Sequence, residues 1–317
     1  MALPDSIRRR LKLPVISAPM FRVSGPELVV AACRAGVIGA FPTANCRNVD
    51  ELGHWLQHMR DALQPDDAPF CPNLIVRREG LREHLECLLR HKVEMVITSV
   101  GSPEAVVGPL HDAGCLVFAD VASLRHAHKA IAAGADGLVL LSSGAGGQTG
   151  WVNGFAFVRA VRQFFDGPIV MAGGMSDGHA VWAARALGCD LAYMGTKFVA
   201  THESMAEPGY KQMLVASEFD DVMLSKAFTG LEANMLRPSI VAAGLDPAAI
   251  PTSVGEEGAA MLFGSGAADA APKRWKDIWS AGHTVSGVAS VCSVQALVEK
   301  TTQEYEAARA ASLGSGA

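Results

Sequence analysis

Aromatic side chains are scarce, at 6% of the 317 residues. A β-sandwich core depends on them, whereas the abundant glycine (32 residues) and alanine suit α/β layers packed through small side chains. Charged residues are also few, at 19%, against 50% hydrophobic, and that balance excludes global disorder. No excess of positive charge is present: the formal net charge is −5, which argues against a nucleic-acid backbone as partner. No uninterrupted apolar run reaches the ~18 residues needed to span a bilayer, so no membrane association is expected. The basic start MALPDSIRRRLKLP lacks the adjoining apolar segment of a secretory signal. The seven cysteines are odd in number and scattered, and they form no CxxC pair. They read as free, mostly buried thiols in a reducing compartment, and a cytoplasmic location is expected. HExxH does not occur, and no serine-hydrolase elbow is expected. His126 and His128 are two apart, so a helix directs them away from each other, and no metal site is expected.

What is present is alternation. Short apolar runs fall at Pro14–Ala18, Val37–Phe41, Phe70–Ile75, Met95–Ser99, Leu116–Ala119, Gly137–Leu141, Pro168–Met171 and Leu191–Met194. Between them lie stretches of helical spacing, such as Pro26–Ala35, Val49–Leu63 and Gly178–Leu187. Eight doubly buried strands separated by helices predict a parallel sheet with helices outside, and eight similar units favour closure into a (β/α)8 TIM barrel. A Gly-x-Asp junction closes a helix and opens a strand twice, at Gly134–Asp136 and Gly188–Asp190. Residues 204–288 break the pattern. The expected organisation is a barrel from 1–203 plus 289–317, with 204–288 as a mostly helical and loop cap over the barrel mouth. The stretch 264–274 reads as a loop, Ser293–Ala311 as a closing helix and the end ASLGSGA as frayed.

Barrel chemistry sits where strands end. Those ends supply Ala18-Pro19-Met20, Asn73, Asp120, the loop Ser142–Gly150, Ala172-Gly173-Gly174 and Met194-Gly195-Thr196. Glycine turns after the last two strands expose main-chain N–H groups to which a phosphate dianion binds without lysine, and Thr196 adds a hydroxyl. The loop GAGGQTG (144–150) lacks the spacing and the downstream acid of a dinucleotide fingerprint.

Taken together, APM at the first strand, PNL at the third, GAGGQTG after the sixth, AGG-x-x-DG after the seventh and MGT-x-F-x-AT-x-E after the eighth resemble the nitronate monooxygenases, formerly 2-nitropropane dioxygenases. Relatives include quinone reductases and flavin-type enoyl reductases. The resemblance spans roughly residues 12–203 well and the last third loosely. It implies FMN across the barrel mouth. Met20 would pack near the ring system, Asn73 would bond its edge, and Gly146 and Gly147 would contact it. Gly173, Gly174, Gly195 and Thr196 would hold the phosphate, with Ala18, Ala172 and Met194 alongside. It also implies oxidation of an alkyl nitronate by O2 to a carbonyl compound and nitrite.

Two positions depart from the family pattern. Gln148 stands where the motif has histidine; it donates a hydrogen bond but takes no proton near neutral pH. Asp120 stands where relatives place a lysine, and it would hydrogen-bond the flavin or a neighbouring loop, or serve as the base that Gln148 is not. The catalytic candidates are therefore Gln148, Asp120 and His283, the last in a segment that folds back towards the flavin; Lys226, Thr229 and Arg237 are further candidates for the mouth. Two other readings stay open: an NAD(P)H-dependent flavin reductase of quinones or enoyl thioesters, and a barrel binding a phosphorylated metabolite without redox chemistry. The expected assembly is a monomer or homodimer.

Overall fold

A computed structural model describes residues 3–251, 254–263 and 272–314. Its strands are β1 (Val15–Ser17), β2 (Ile38–Pro42), β3 (Phe70–Ile75), β4 (Met95–Ser99), β5 (Leu116–Val121), β6 (Gly137–Leu141), β7 (Gly147–Gln148), β8 (Ile169–Ala172), β9 (Leu191–Met194), β10 (Val222–Ser225) and β11 (Ala233–Leu236). Eight of them close a parallel barrel in the order β1-β2-β3-β4-β5-β6-β8-β9. The seam is shut by β9 on β1, with Ile16 opposite Tyr193 and Ser17 opposite Met194. The fold is the (β/α)8 barrel that the alternation predicts.

Strand periodicity sorts the interior into layers. Ile16, Ile38, Met95, Ile97, Phe118, Val139, Val170 and Leu191 fill the barrel. Two residues on, the same inward face carries Asn73 after Cys71, Ser99 after Ile97, Asp120 after Phe118 and Tyr193 after Leu191. The apolar plug thus gives way to polar side chains at the C-terminal rim, and all four line the cavity there.

The repeated Gly-x-Asp junction has a mechanical explanation. Gly134 and Gly188 have φ of 91° and 105°, left-handed values that end a helix without strain only at glycine. Each aspartate then reaches back to the preceding strand: Asp136 Oδ2 accepts from the Val117 amide and Asp190 Oδ2 from the Ile169 amide, at 2.8 and 2.9 Å. Arg162 donates to the same Asp190 oxygen at 2.8 Å. One tripeptide therefore stops a helix and pins the first amides of a strand.

After β9 the chain leaves the barrel and returns. Thr201 and Cys292 form an isolated parallel bridge, and His202 N donates to Cys292 O at 2.9 Å. These contacts bracket an excursion of the chain outside the barrel strands. It contains the helices Pro208–Val215, Arg237–Ala242 and Glu256–Phe263, and also β10 and β11, which the apolar pattern did not reveal. β11 pairs with β10 on one side and with the two-residue β7 on the other. Residues 264–271 of the loop expected at 264–274, and 315–317 of the tail, lie outside the described residues. The closing helix runs Val294–Gly314, past the expected end at Ala311. All seven cysteines are free, and six are buried.

Candidate active site

A cavity of about 660 Å3 opens at the C-terminal ends of the barrel strands, within the roughly 300–1,000 Å3 usual for small-molecule sites. Its walls come from two sources. The barrel contributes the ends of its strands and the loops that follow them, and the excursion contributes Tyr210, Phe263, Lys273, Arg274, Trp275, Trp279, Ser280 and Ala281. Ala18, Met20, Asn73, Asp120, Gly146, Gly147, Gln148, Ala172, Gly173, Gly174, Met194, Gly195 and Thr196, all expected at the site, line this one cavity.

The two glycine turns are built differently. Gly173 (φ 99°) and Gly174 (φ 75°) are both left-handed, so the chain doubles back sharply after β8. A Cβ on Gly173 would stand 2.7 Å from Ser142 Oγ and 2.9 Å from Ser143 O, while one on Gly174 would meet nothing within 4 Å. Gly195 has an ordinary φ of −108° and opens the short helix Thr196–Val199. Among the described residues, the amides of Gly174, Met175, Gly195 and Thr196 donate to no protein acceptor. Thr196 Oγ1 accepts from the Gly282 amide at 2.9 Å. Its own proton is thereby left to donate, because a hydroxyl is at once acceptor and donor. Four unpaired amides and a hydroxyl can seat an anion with no cationic side chain.

Asn73 is held in place on the cavity wall. Its Nδ2 donates to Ile97 O at 3.3 Å, and its Oδ1 accepts from Ser99 Oγ at 3.2 Å. The second Nδ2 proton remains for a ligand. Gln148 sits on β7, whose backbone is fixed by β11: Gln148 is opposite Ala233, and the Thr149 amide donates to Glu232 O at 3.0 Å. Asn234 Nδ2 donates to Ala145 O at 2.7 Å, tying down the start of the same loop. The excursion thus positions the loop that carries Gln148, whose side chain is exposed at the cavity.

Asp120 Oδ1 and the Tyr193 hydroxyl are buried and find no partner among the described residues. Burial pushes the Asp120 carboxyl up to about 7. Tyr193 is held well above its ordinary value by burial, with the Asp120 and Cys71 charges adding to it. Orphaned polar atoms on a cavity floor point to a ligand or water that completes them. Tyr193 escapes detection in the sequence because it stands inside a strand, not at its end; the residue ahead of Met194 on an inward-facing register is the only signal it leaves.

His283 does not line the cavity. Its N–H donates to Gly144 O at 3.0 Å, and its ring packs so closely on Gly144 that a Cβ there would stand 2.8 Å from Nδ1. The neighbouring Thr284 faces the cavity instead. Lys226, Thr229 and Arg237 are likewise outside the lining; Lys226 pairs with Glu232 at 3.6 Å.

Backbone strain marks the same place. Four non-glycine residues among those described have left-handed φ: Arg22, Lys92, Val100 and Trp275. Arg22, Val100 and Trp275 all line the cavity. A β-branched or bulky residue in this region is unfavourable by roughly 1–3 kcal/mol and persists where its surroundings over-determine it, most often at functional sites.

The class defined by these features is a (β/α)8 barrel with an amide-built turn pair and a polar floor at its C-terminal mouth. The chain belongs to the nitronate monooxygenase family, whose model matches residues 72–304. It is 29% identical to a nitronate monooxygenase of Paraburkholderia phytofirmans, covering 74% of this chain and 76% of that one. It is 28% identical to the (3aS,4S,5R,7aS)-5-hydroxy-7a-methyl-1-oxo-octahydro-1H-indene-4-carboxyl-CoA dehydrogenase of Rhodococcus jostii over 72% of its length, and that match spans only 64% of the relative. Among solved structures, FabK from Thermotoga maritima superposes with a TM-score of 0.81 at 25% identity, covering 96% of both chains. The nitroalkane oxidase from Streptomyces ansochromogenes gives 0.81 at 25%, over 97% of this chain and 99% of that one.

Proposed function

We propose that the protein is an FMN-dependent oxidoreductase that oxidises alkyl nitronates with O2 to a carbonyl compound and nitrite. The observation that carries the reading is the pair of turns at Gly173–Met175 and Gly195–Thr196, which bring four unpaired amides and a hydroxyl onto the lining of one cavity. The residues present fit the cofactor. The turns take its phosphate, the free Nδ2 proton of Asn73 meets a ring edge, and Met20, Ala18, Ala172 and Met194 give an apolar bed. Gly146 and Gly147 admit the ring to close backbone approach. When bound, the flavin supplies the electron transfer between nitronate and O2.

The chain's own groups divide the remaining work. Gln148 donates to a nitronate oxygen, which fixes its orientation and balances its charge. A nitronate is already deprotonated, so that task requires no base at position 148. The Asp120 carboxyl, poised near neutrality, is the one group on the lining suited to exchange a proton there. His283 has no catalytic part in this scheme; it buttresses Gly144 at the start of the Gln148 loop.

The test is an absorption spectrum of the purified protein and then an anaerobic titration. Bound FMN absorbing near about 450 nm and bleached by nitronate is the expected result. A colourless chain that takes up no FMN overturns the reading and leaves the non-redox barrel. A second reading, an NAD(P)H-dependent reductase of quinones or enoyl thioesters, is favoured by the likeness to FabK. Bleaching by NADPH in place of nitronate selects it.

A further inference from the structure

Three cations line the cavity in places that the flavin does not require. They are Arg22, in the loop after β1, and Lys273 and Arg274, in the excursion. None of the three pairs with a carboxylate among the described residues. The single acidic side chain on the lining is Asp120, on the floor. On a chain of net charge −5, this mouth is a local reversal of sign. The amide turns account for one phosphate without any of these side chains. Lys197, the cation nearest to them in sequence, lies with its Nζ about 3.3 Å from where a Gly287 Cβ would stand.

The cations are also held. Arg22 sits at φ 63°, and its amide donates to Asn45 Oδ1 at 2.8 Å. Asn45 Nδ2 in turn donates to Met20 O and Ser24 O, at 3.1 and 2.8 Å. Arg274 is half-buried and donates through one nitrogen, Nη1, to Phe228 O at 2.7 Å. The rest of its fork stays available. Trp275 follows at φ 66°, its amide bonded to Ile278 O at 2.9 Å and its indole against Gly147. Two strained, cross-braced segments therefore carry cations at one opening.

We propose that Arg22, Lys273 and Arg274 form a second anion subsite on the lining of the cavity. It takes the phosphate-bearing end of a large co-substrate whose reactive end reaches the cofactor. The shared chemistry is a pyrophosphate-linked nucleotide, which a nicotinamide dinucleotide and a coenzyme A thioester both possess. This rests on the flavin reading of the cavity, and it deepens the second reading by stating what holds the partner of that reaction.

The experiment is calorimetric titration of the flavin-loaded protein with NADP+ and, separately, with coenzyme A, at low and high salt. FMN content is measured on every sample. One of the two nucleotides is expected to bind in the micromolar range and to weaken as salt rises. Lys273→Met and Arg274→Met are each expected to weaken that binding about 10-fold, the usual scale for one charge-assisted contact, with FMN content unchanged. The nucleotide that binds identifies the source. Lys273 makes no side-chain bond among the described residues, so its variant tests the subsite even if Arg274→Met fails to fold. Binding of neither nucleotide below about 1 mM, or binding that both variants leave intact, overturns the proposal. Loss of FMN from the wild type overturns the flavin reading instead.

Discussion

Asp120→Asn removes one ionisation while leaving the shape of the cavity nearly unchanged. In the folded wild type, burial raises this carboxyl from 3.8 to about 7. Across that window the folded chain keeps a proton that the unfolded chain has released. Stability therefore falls as pH rises through the window and levels off above it. At 1.36 kcal/mol per pH unit, the span from 3.8 to about 7 amounts to about 4 kcal/mol. That figure is an upper limit, because water entering the cavity solvates the carboxylate. Asparagine cannot ionise, so the variant lacks this slope. At pH 8 it is expected to be more stable than wild type by up to about 4 kcal/mol, with the gap closing towards pH 4. Urea unfolding of the flavin-free protein, followed by tryptophan fluorescence from pH 4.5 to 8, measures this directly. Parallel pH profiles for the two proteins, or an Asn variant less stable at pH 8, would refute the assignment of Asp120 as an unpartnered buried acid. In the loaded enzyme the same variant should lose whatever inflection near neutrality the wild-type rate profile shows.

Gly173→Val combines a positive φ with a Cβ 2.7 Å from Ser142 Oγ; a stability loss on the order of 3 kcal/mol and failure to retain FMN on gel filtration are expected. Gly174→Ala is its cleaner partner, since a Cβ there meets nothing within 4 Å. The cost reduces to the ~1 kcal/mol of left-handed backbone, and a variant that stays fully yellow after dialysis would remove the amide turns as the phosphate seat. Gln148→His supplies a proton acceptor where the chain has a carboxamide. Turnover of neutral nitroalkanes should rise at least tenfold, on the usual scale of general-base catalysis, and an unchanged rate in an oxygen-consumption assay would mean that deprotonation is not what limits that substrate.

The barrel was legible because its signal is redundant. Each strand is apolar on both faces, each helix is amphipathic, and the Gly-x-Asp junction repeats at Asp136 and Asp190, where each carboxylate pins an amide of the preceding strand. The glycine turns were legible for a related reason: their positions follow from where strands end. The excursion was not. β10 and β11 are four residues each, and β7 is two, too short for a period-two pattern to stand out. The pairing of β11 with β7 is antiparallel and long-range, with Ala233 opposite Gln148, so no local window holds both partners. His283 misled because its position along the chain says that it returns to the mouth, whereas only the packing on Gly144 says which way its ring faces. Tyr193 was hidden for the opposite reason, as an inward residue within an apolar strand.

That division has a mechanistic consequence. The barrel supplies the turns, the floor and Asn73, all set by strand register and therefore rigid. The excursion supplies Trp275, Arg274 and the strand that fixes Gln148, and it touches the barrel's ligand side through β11 on β7, through Asn234 on Ala145, and through the Gly282 and His283 amides on Thr196 Oγ1 and Gly144 O. Substitutions on β11 should then alter substrate handling while sparing cofactor retention, because they move Gln148 relative to a phosphate seat that they do not contact. Asn234→Ala removes a 2.7 Å bond from a buried carboxamide to Ala145 O, a loss of about 1–3 kcal/mol of local support. It should raise KM or lower kcat with FMN content intact, and a matching loss of FMN would show that the two halves of the cavity are not separable.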